Sequence, residues 1–233
     1  MAQWATFTGL VALILLLLLS LSYASRSVVS EAAPPDPAHA QPHGLTTGML
    51  LANVAFSQGF LGVFLLLAAW VTQIPWPALG VHLPTAATVA IGLVLGALLY
   101  GTNRLGAWSM RRLGFDHGDE LRELLAPKTR RGWLLLLVGV LPIIAGFEEL
   151  LFRAALVGAL SAGYGVSPWV LAVLSSLAFA LGHGAQGVAG IVVTWALGLV
   201  LAAAFVATGS LVVVVVAHYV VNALEFVIHE GVA

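Results

Sequence analysis

The chain contains no cysteine, which removes disulfides, thiolate metal ligands and any cysteine nucleophile at once. Charge is almost as scarce: 8% of the 233 residues are Asp, Glu, Lys or Arg, against 61% hydrophobic residues. No charged residue stands between Asp36 and Arg104, and none between Arg153 and Glu225. Such a composition excludes an ordinary water-soluble domain. A net charge of −1 leaves no basic surface for nucleic acid. The apolar runs also lack alternating polar residues, which excludes a membrane β-barrel. What remains is an integral membrane protein whose uncharged stretches are helices, because backbone groups in hydrocarbon must be satisfied within their own segment.

The apolar stretches predict an all-α, polytopic transmembrane bundle of about seven spans, at about 6–23, 46–73, 85–103, 133–160, 168–183, 187–207 and 210–228. The first, "FTGLVALILLLLLSLSYASRS", has the small-residue site of a signal peptide near Ala24. It lacks a basic n-region, so a first transmembrane helix is the expected reading. Residues 29–44, "VSEAAPPDPAHAQPHG", read as a Pro-rich linker. Seven of the nine Lys and Arg fall within 104–131, which the positive-inside rule places in the cytoplasm. There Leu113, Phe115, Leu121, Leu124 and Leu125 interleave with the charges, as an interfacial amphipathic helix would have them. A solvated loop suits the segment equally. Gly92 and Gly96 form a G-x-x-x-G that lets another helix approach closely, with packing inside one bundle the simpler expectation than dimerisation. Asn53 and Gln58 are expected as interhelical hydrogen-bond partners, a role that a polar cavity would also give them. No internal repeat supports an inverted-repeat transporter.

With the loops set aside, "FEELLFRAAL" at 147–156 is the anomaly, since it sets Glu148, Glu149 and Arg153 in a span. Charges there are expensive unless paired or facing water. Glu149 and Arg153 are i, i+4 with the acid N-terminal, the favourable order for an ion pair. Glu148 lies five residues from Arg153, about 140° away around the helix, and is the carboxylate left free for chemistry. A purely structural Glu–Arg clasp accounts for Glu149 and Arg153 but gives Glu148 no role. "FALGH" sets Phe179 and His183 on one helical face, and "HYVVN" does the same for His218 and Asn222. An imidazole beside a carboxylate can deprotonate a water, and a second imidazole with an amide can donate to an oxyanion. Each histidine alone serves equally well as a helix contact or a proton relay.

Other ways of cutting peptides inside a membrane are missing. H-E-x-x-H does not occur, and the single His-Glu pair, His229-Glu230, is followed only by "GVA". Asp36, Asp116 and Asp119 all lie outside the spans, and G-x-S-x-G is absent. Ser175 and Ser176 are expected to pack helices.

Taken in order, E-E-x-x-x-R at Glu148–Arg153, F-x-x-x-H at Phe179–His183 and H-x-x-x-N at His218–Asn222 resemble the CAAX protease and bacteriocin-processing family. That family, also called Abi or CPBP, includes the Rce1-type prenyl-protein endopeptidases. The likeness covers about 133–228 and includes "TGSLVVVVVAHYVVN". The resemblance implies a helical intramembrane protease acting on a peptide or protein, with a prenylated C-terminus in the eukaryotic branch, and reached from the cytoplasm. It divides the chain into N-terminal helices with a basic segment, 1–131, and a catalytic core, 132–233. Carried over, Glu148 and His183 would activate water, His218 and Asn222 would hold the oxyanion, and Glu149, Arg153 and Phe179 would support the site.

The family is often called a metalloprotease. Glu148, His183 and His218 could bind zinc, and the same oxygen and nitrogen set equally suits a metal-free site. Where the family usually has glycine after its arginine, Ala154 stands, a small-for-small change. If the fourth helix enters at Trp133, Glu148 lies about 22 Å in, deeper than His183 at the end of a short span. A break at Pro142 or a strong tilt would bring them level. The rival reading is a non-enzymatic membrane protein: a scaffold or bacteriocin-immunity factor on the same fold, or a proton-coupled carrier using Glu148 and the histidines as relays.

Overall fold

Backbone groups that cannot turn to water turn to one another, and among the described residues the apolar runs form seven helices. They are α1 (Ala2–Ala32), α2 (Thr47–Val71), α3 (Ala86–Arg112), α4 (Arg130–Tyr164), α5 (Pro168–Gly182), α6 (Gly187–Thr208) and α7 (Leu211–Glu230), with short 3₁₀ turns at Trp76–Leu79 and Gly184–Gln186. The structure, a computed structural model, describes residues 1–32, 47–114 and 126–230. Among these there is no strand. Six helices are long and apolar enough to cross a membrane, and α5, at 15 residues, is the shorter exception. Most of the linker at 29–44, together with Phe115, Leu121, Leu124 and Leu125, lies outside the described residues.

Three features differ from the sequence reading, the first being α1, which runs on past residue 23 to Ala32 and takes in the start of the expected linker. The third helix runs on through Arg104 to Arg112, so the first part of the basic segment is continuous with a span. Pro142 does not break α4. The helix widens into a π-helical run over Leu135–Val140 just before it, where the Leu141 N–H donates to the Leu136 carbonyl, and again over Leu150–Ala159. Proline removes one donor and crowds the carbonyl of the preceding turn. A π turn is one of the few ways a helix absorbs such a disturbance without ending. Side-chain caps begin two helices: Thr85 and Thr88 form a reciprocal capping box at α3, and the Thr129 hydroxyl accepts from the Gly132 N–H at α4. Gly209, at φ 61°, ends α6 in the left-handed conformation that glycine adopts without strain, and its N–H donates to Phe205.

Small residues set the helix spacing. A Cβ on Gly92 would lie 2.7 Å from Val216 Cβ, and one on Gly96 would lie 2.6 Å from Val220 Cβ. The G-x-x-x-G therefore brings α3 against α7 within the bundle. Phe7, Val11 and Ile14 of α1, Leu61 and Leu65 of α2, and Phe147, Leu151 and Phe152 of α4 share one buried cluster with Phe179 of α5. A second cluster joins Leu99, Val157, Leu201, Phe205, Val214 and Val221. Large apolar side chains such as Phe60, Trp70, Leu98, Val138 and Trp169 point outward, as hydrocarbon-facing residues do. α4 runs through the middle of this arrangement, contacting α2, α5, α6 and α7.

Candidate active site

The charged residues of α4 face inward. Glu149 and Arg153 are completely buried, and Glu148 is 8% exposed. Arg153 Nη1 donates to Glu149 Oε1 at 2.8 Å, so the i, i+4 ion pair expected from the spacing is present. Its other terminal nitrogen donates to the Gly198 carbonyl of α6 at 3.2 Å, and the guanidinium carbon lies 4.6 Å from the centre of the Phe179 ring. Gly198 permits this contact because a Cβ there would already press on Phe179 and Ser176. Two hydrogen bonds and an aromatic face thus offset the desolvation of a cation that never meets water. Ala154, next along, is buried and fits without a larger side chain.

Glu149 also serves a second partner that the spacing did not reveal. His218 Nδ1, from α7, lies 2.7 Å from Glu149 Oε1, the same oxygen that accepts from Arg153. A carboxylate accepts this bond, so Nδ1 carries a proton and Nε2 is the ring atom left for other work. Nε2 is 3.6 Å from Glu148 Oε2. Arg153, Glu149, His218 and Glu148 therefore follow one another in a chain from α6 and α4 across to α7. The carboxylate–imidazole contact has the geometry by which a buried acid orients a histidine.

His183 sits at the end of α5, where its Nδ1 lies 2.9 Å from the Phe179 carbonyl. A carbonyl oxygen only accepts, so Nδ1–H is the donor and Nε2 of the neutral ring is an acceptor. The Phe179 ring fixes both imidazoles: its centroid is 4.5 Å from that of His183 and 5.9 Å from that of His218, the latter edge-on. Phe152 packs edge-on against its other side at 5.1 Å. Ser175, buried, donates to the Phe152 carbonyl and joins α5 to α4, while Ser176 bonds back to Ala172. Both serines pack helices, as expected.

Glu148, His183, His218 and Asn222 line one cavity of about 350 Å³. Depth along separate helices does not keep Glu148 and His183 apart, since both face this space. Glu148 and His183 share no hydrogen bond among the described residues, and the imidazole beside Glu148 is that of His218. The cavity is lined by the apolar Leu51, Leu136, Val140 and Leu141 and by the polar Asn103 and Glu225, with Asn103 Nδ2 donating to Glu225 Oε1 at 2.8 Å. Gln58 of α2 also enters, with its Nε2 at 3.5 Å from Glu148 Oε1. Leu51, Val54 and Gln58 all face the space at i, i+3, i+7 spacing, so Gln58 is both the interhelical partner and the cavity residue expected of it. Asn53 is exposed and is not the interhelical partner it was expected to be.

Zinc, if bound here, would fall to Glu148, His183 and His218. Among the described residues no three His, Asp or Glu side chains converge to hold a metal ion. Nδ1 of each histidine is engaged with a carboxylate or a carbonyl, which leaves Nε2 as the nitrogen able to bind a metal, so the lack of convergence alone speaks against zinc. The donor set as arranged does not fit zinc.

Residues 130–224 match the family model of type II CAAX prenyl endopeptidase Rce1-like proteins. The matched interval begins with α4 and contains Glu148, Glu149, Arg153, Phe179, His183, His218 and Asn222, whereas α1, α2 and α3 precede it. No curated protein and no solved structure gives a significant match.

Proposed function

We propose, from the match of this interval to a prenyl-endopeptidase family, that the chain is an intramembrane endopeptidase of the CAAX type that hydrolyses a peptide bond with an activated water. The observation that carries the reading is the meeting of Glu148, His183, His218 and Asn222, from three helices, on one cavity. Water donates one O–H to the Glu148 carboxylate and the other to Nε2 of His183, leaving a lone pair for the substrate carbonyl. Proton transfer to Glu148 accompanies C–O bond formation. The resulting oxyanion accepts hydrogen bonds from Asn222 Nδ2 and from His218 Nε2–H, which requires the doubly protonated ring because Nδ1 donates to Glu149. Glu148 then returns its proton to the leaving nitrogen, the C–N bond breaks, and no covalent intermediate forms. Glu149 and Arg153 hold His218 in place.

The basic segment 104–131 is cytoplasmic in this reading, and substrate enters from that side. Supporting it, Asn103 and Glu225 line the cavity, and Arg104 Nη1 at the start of the basic segment lies 4.0 Å from Glu225 Oε2. The test is cleavage of a prenylated CAAX peptide and its unprenylated counterpart by purified protein in detergent, with and without a chelator. Cleavage unaffected by the chelator is expected. Loss on chelation would overturn the metal-free site, and faster cleavage of the unprenylated peptide would overturn the CAAX assignment.

A further inference from the structure

The side-chain amide of Gln58 is held at one end and unsatisfied at the other. Its Nε2 points to Glu148 Oε1 at 3.5 Å, while its Oε1 is buried and has no hydrogen-bond partner among the described residues. Turning the amide over would set its oxygen against a carboxylate oxygen, so Glu148 selects the orientation. The acceptor is therefore left over and enclosed, on a side chain that lines the cavity with Leu51, Val54, Ile144 and Leu141, so a donor reaches it as those walls part. A buried acceptor in such surroundings calls for a donor. A peptide brings one kind in quantity: main-chain N–H groups that lose their water on entering the same apolar space.

We infer that Gln58 is a substrate-positioning residue that accepts a main-chain N–H of the bound peptide through Oε1 while orienting Glu148 through Nε2. This rests on the endopeptidase reading and extends it to α2, outside the interval matched by the family. One planar amide then fixes the distance between the base and the peptide backbone, so register along the substrate is set by the group that sets the carboxylate. Near-attack geometry depends on such coupling.

The experiment uses the full chain in detergent and the prenylated CAAX peptide, together with a series in which each non-scissile amide N–H is replaced, one at a time, by an ester oxygen. Gln58→Leu is expected to lower kcat/KM on the all-amide peptide by about five- to a hundredfold, with a melting temperature close to wild type. One ester peptide is expected to show a similar loss with the wild type and almost none with Gln58→Leu, a non-additive cycle that a merely structural role would not produce. Equal ester losses in both proteins, or wild-type kcat/KM in Gln58→Leu, would overturn the inference. A loss in Gln58→Leu that couples to no ester would assign Oε1 to water and also overturn it. If Gln58→Leu does not fold, Gln58→Met takes its place, and failure of both assigns Gln58 to the fold and ends the proposal. Absence of Glu148-dependent cleavage by the wild type is a separate outcome, which refutes the endopeptidase reading and this extension with it.

Discussion

Removing Arg153 while leaving Glu149 in place perturbs the site most informatively. In Arg153→Met the methionine fills most of the volume, but Glu149 keeps a fully buried carboxylate with His218 Nδ1 as its one remaining partner. Stripping one member from a buried ion pair costs about 3–5 kcal/mol, most of it from the uncompensated charge that stays behind. Loss of the cation over Phe179 adds about 0.5–2 kcal/mol. For a chain of this length, about 2–4 °C per kcal/mol turns the ion-pair term alone into a fall of about 6–20 °C in melting temperature. Adding Glu149→Gln removes the stranded charge while keeping an acceptor for His218, so the double variant should recover most of the lost stability. Thermal unfolding of the purified proteins in one detergent, with folded yield by size exclusion, reads both effects. A single variant that melts within about 3 °C of wild type, or a double variant that falls further than the single, would refute the argument from stranded charge.

Other consequences follow from the same geometry. Glu148→Ala and His183→Ala should each lower the cleavage rate by about a hundredfold or more while folded yield stays near wild type, because neither removes a packed core side chain; full activity in either refutes the water-activating pair. Gly96→Ala sets a Cβ 2.7 Å from the Ala217 carbonyl, next to His218, so α7 must shift. The expected result is a loss of about tenfold or more in cleavage, checked by assay beside a melting curve, and wild-type values in both contradict it. Ser175→Val leaves the Phe152 carbonyl without its donor at the α4–α5 contact and should destabilise by about 1–3 kcal/mol, read as a lower melting temperature.

Hydrophobic continuity made the helices legible, since a run with no charge from Asp36 to Arg104 has few other solutions in a membrane. The Glu149–Arg153 pair was legible too, because i, i+4 partners meet on any helix regardless of tertiary context. The link from Glu149 to His218 was not, because it joins residues 69 apart and depends on how closely α7 can lie against α3 and α4. Glycines at 92 and 96 control that approach, and their spacing shows that a helix can come close without saying which one. Gln58 was legible as an interhelical partner, and it does donate to Glu148 of α4, but a polar residue in a span does not name its partner. Pro142 was read as a break or a tilt because proline usually disrupts an α-helix, whereas here the backbone absorbs it in a π turn.

The most direct measurement compares wild type with Glu148→Ala, at matched amounts of folded protein, for cleavage of the prenylated CAAX peptide followed by mass of the two products. The account predicts cleavage by the wild type and a loss of about a hundredfold or more in the variant. Equal cleavage by the two proteins, or none by the wild type, would contradict it.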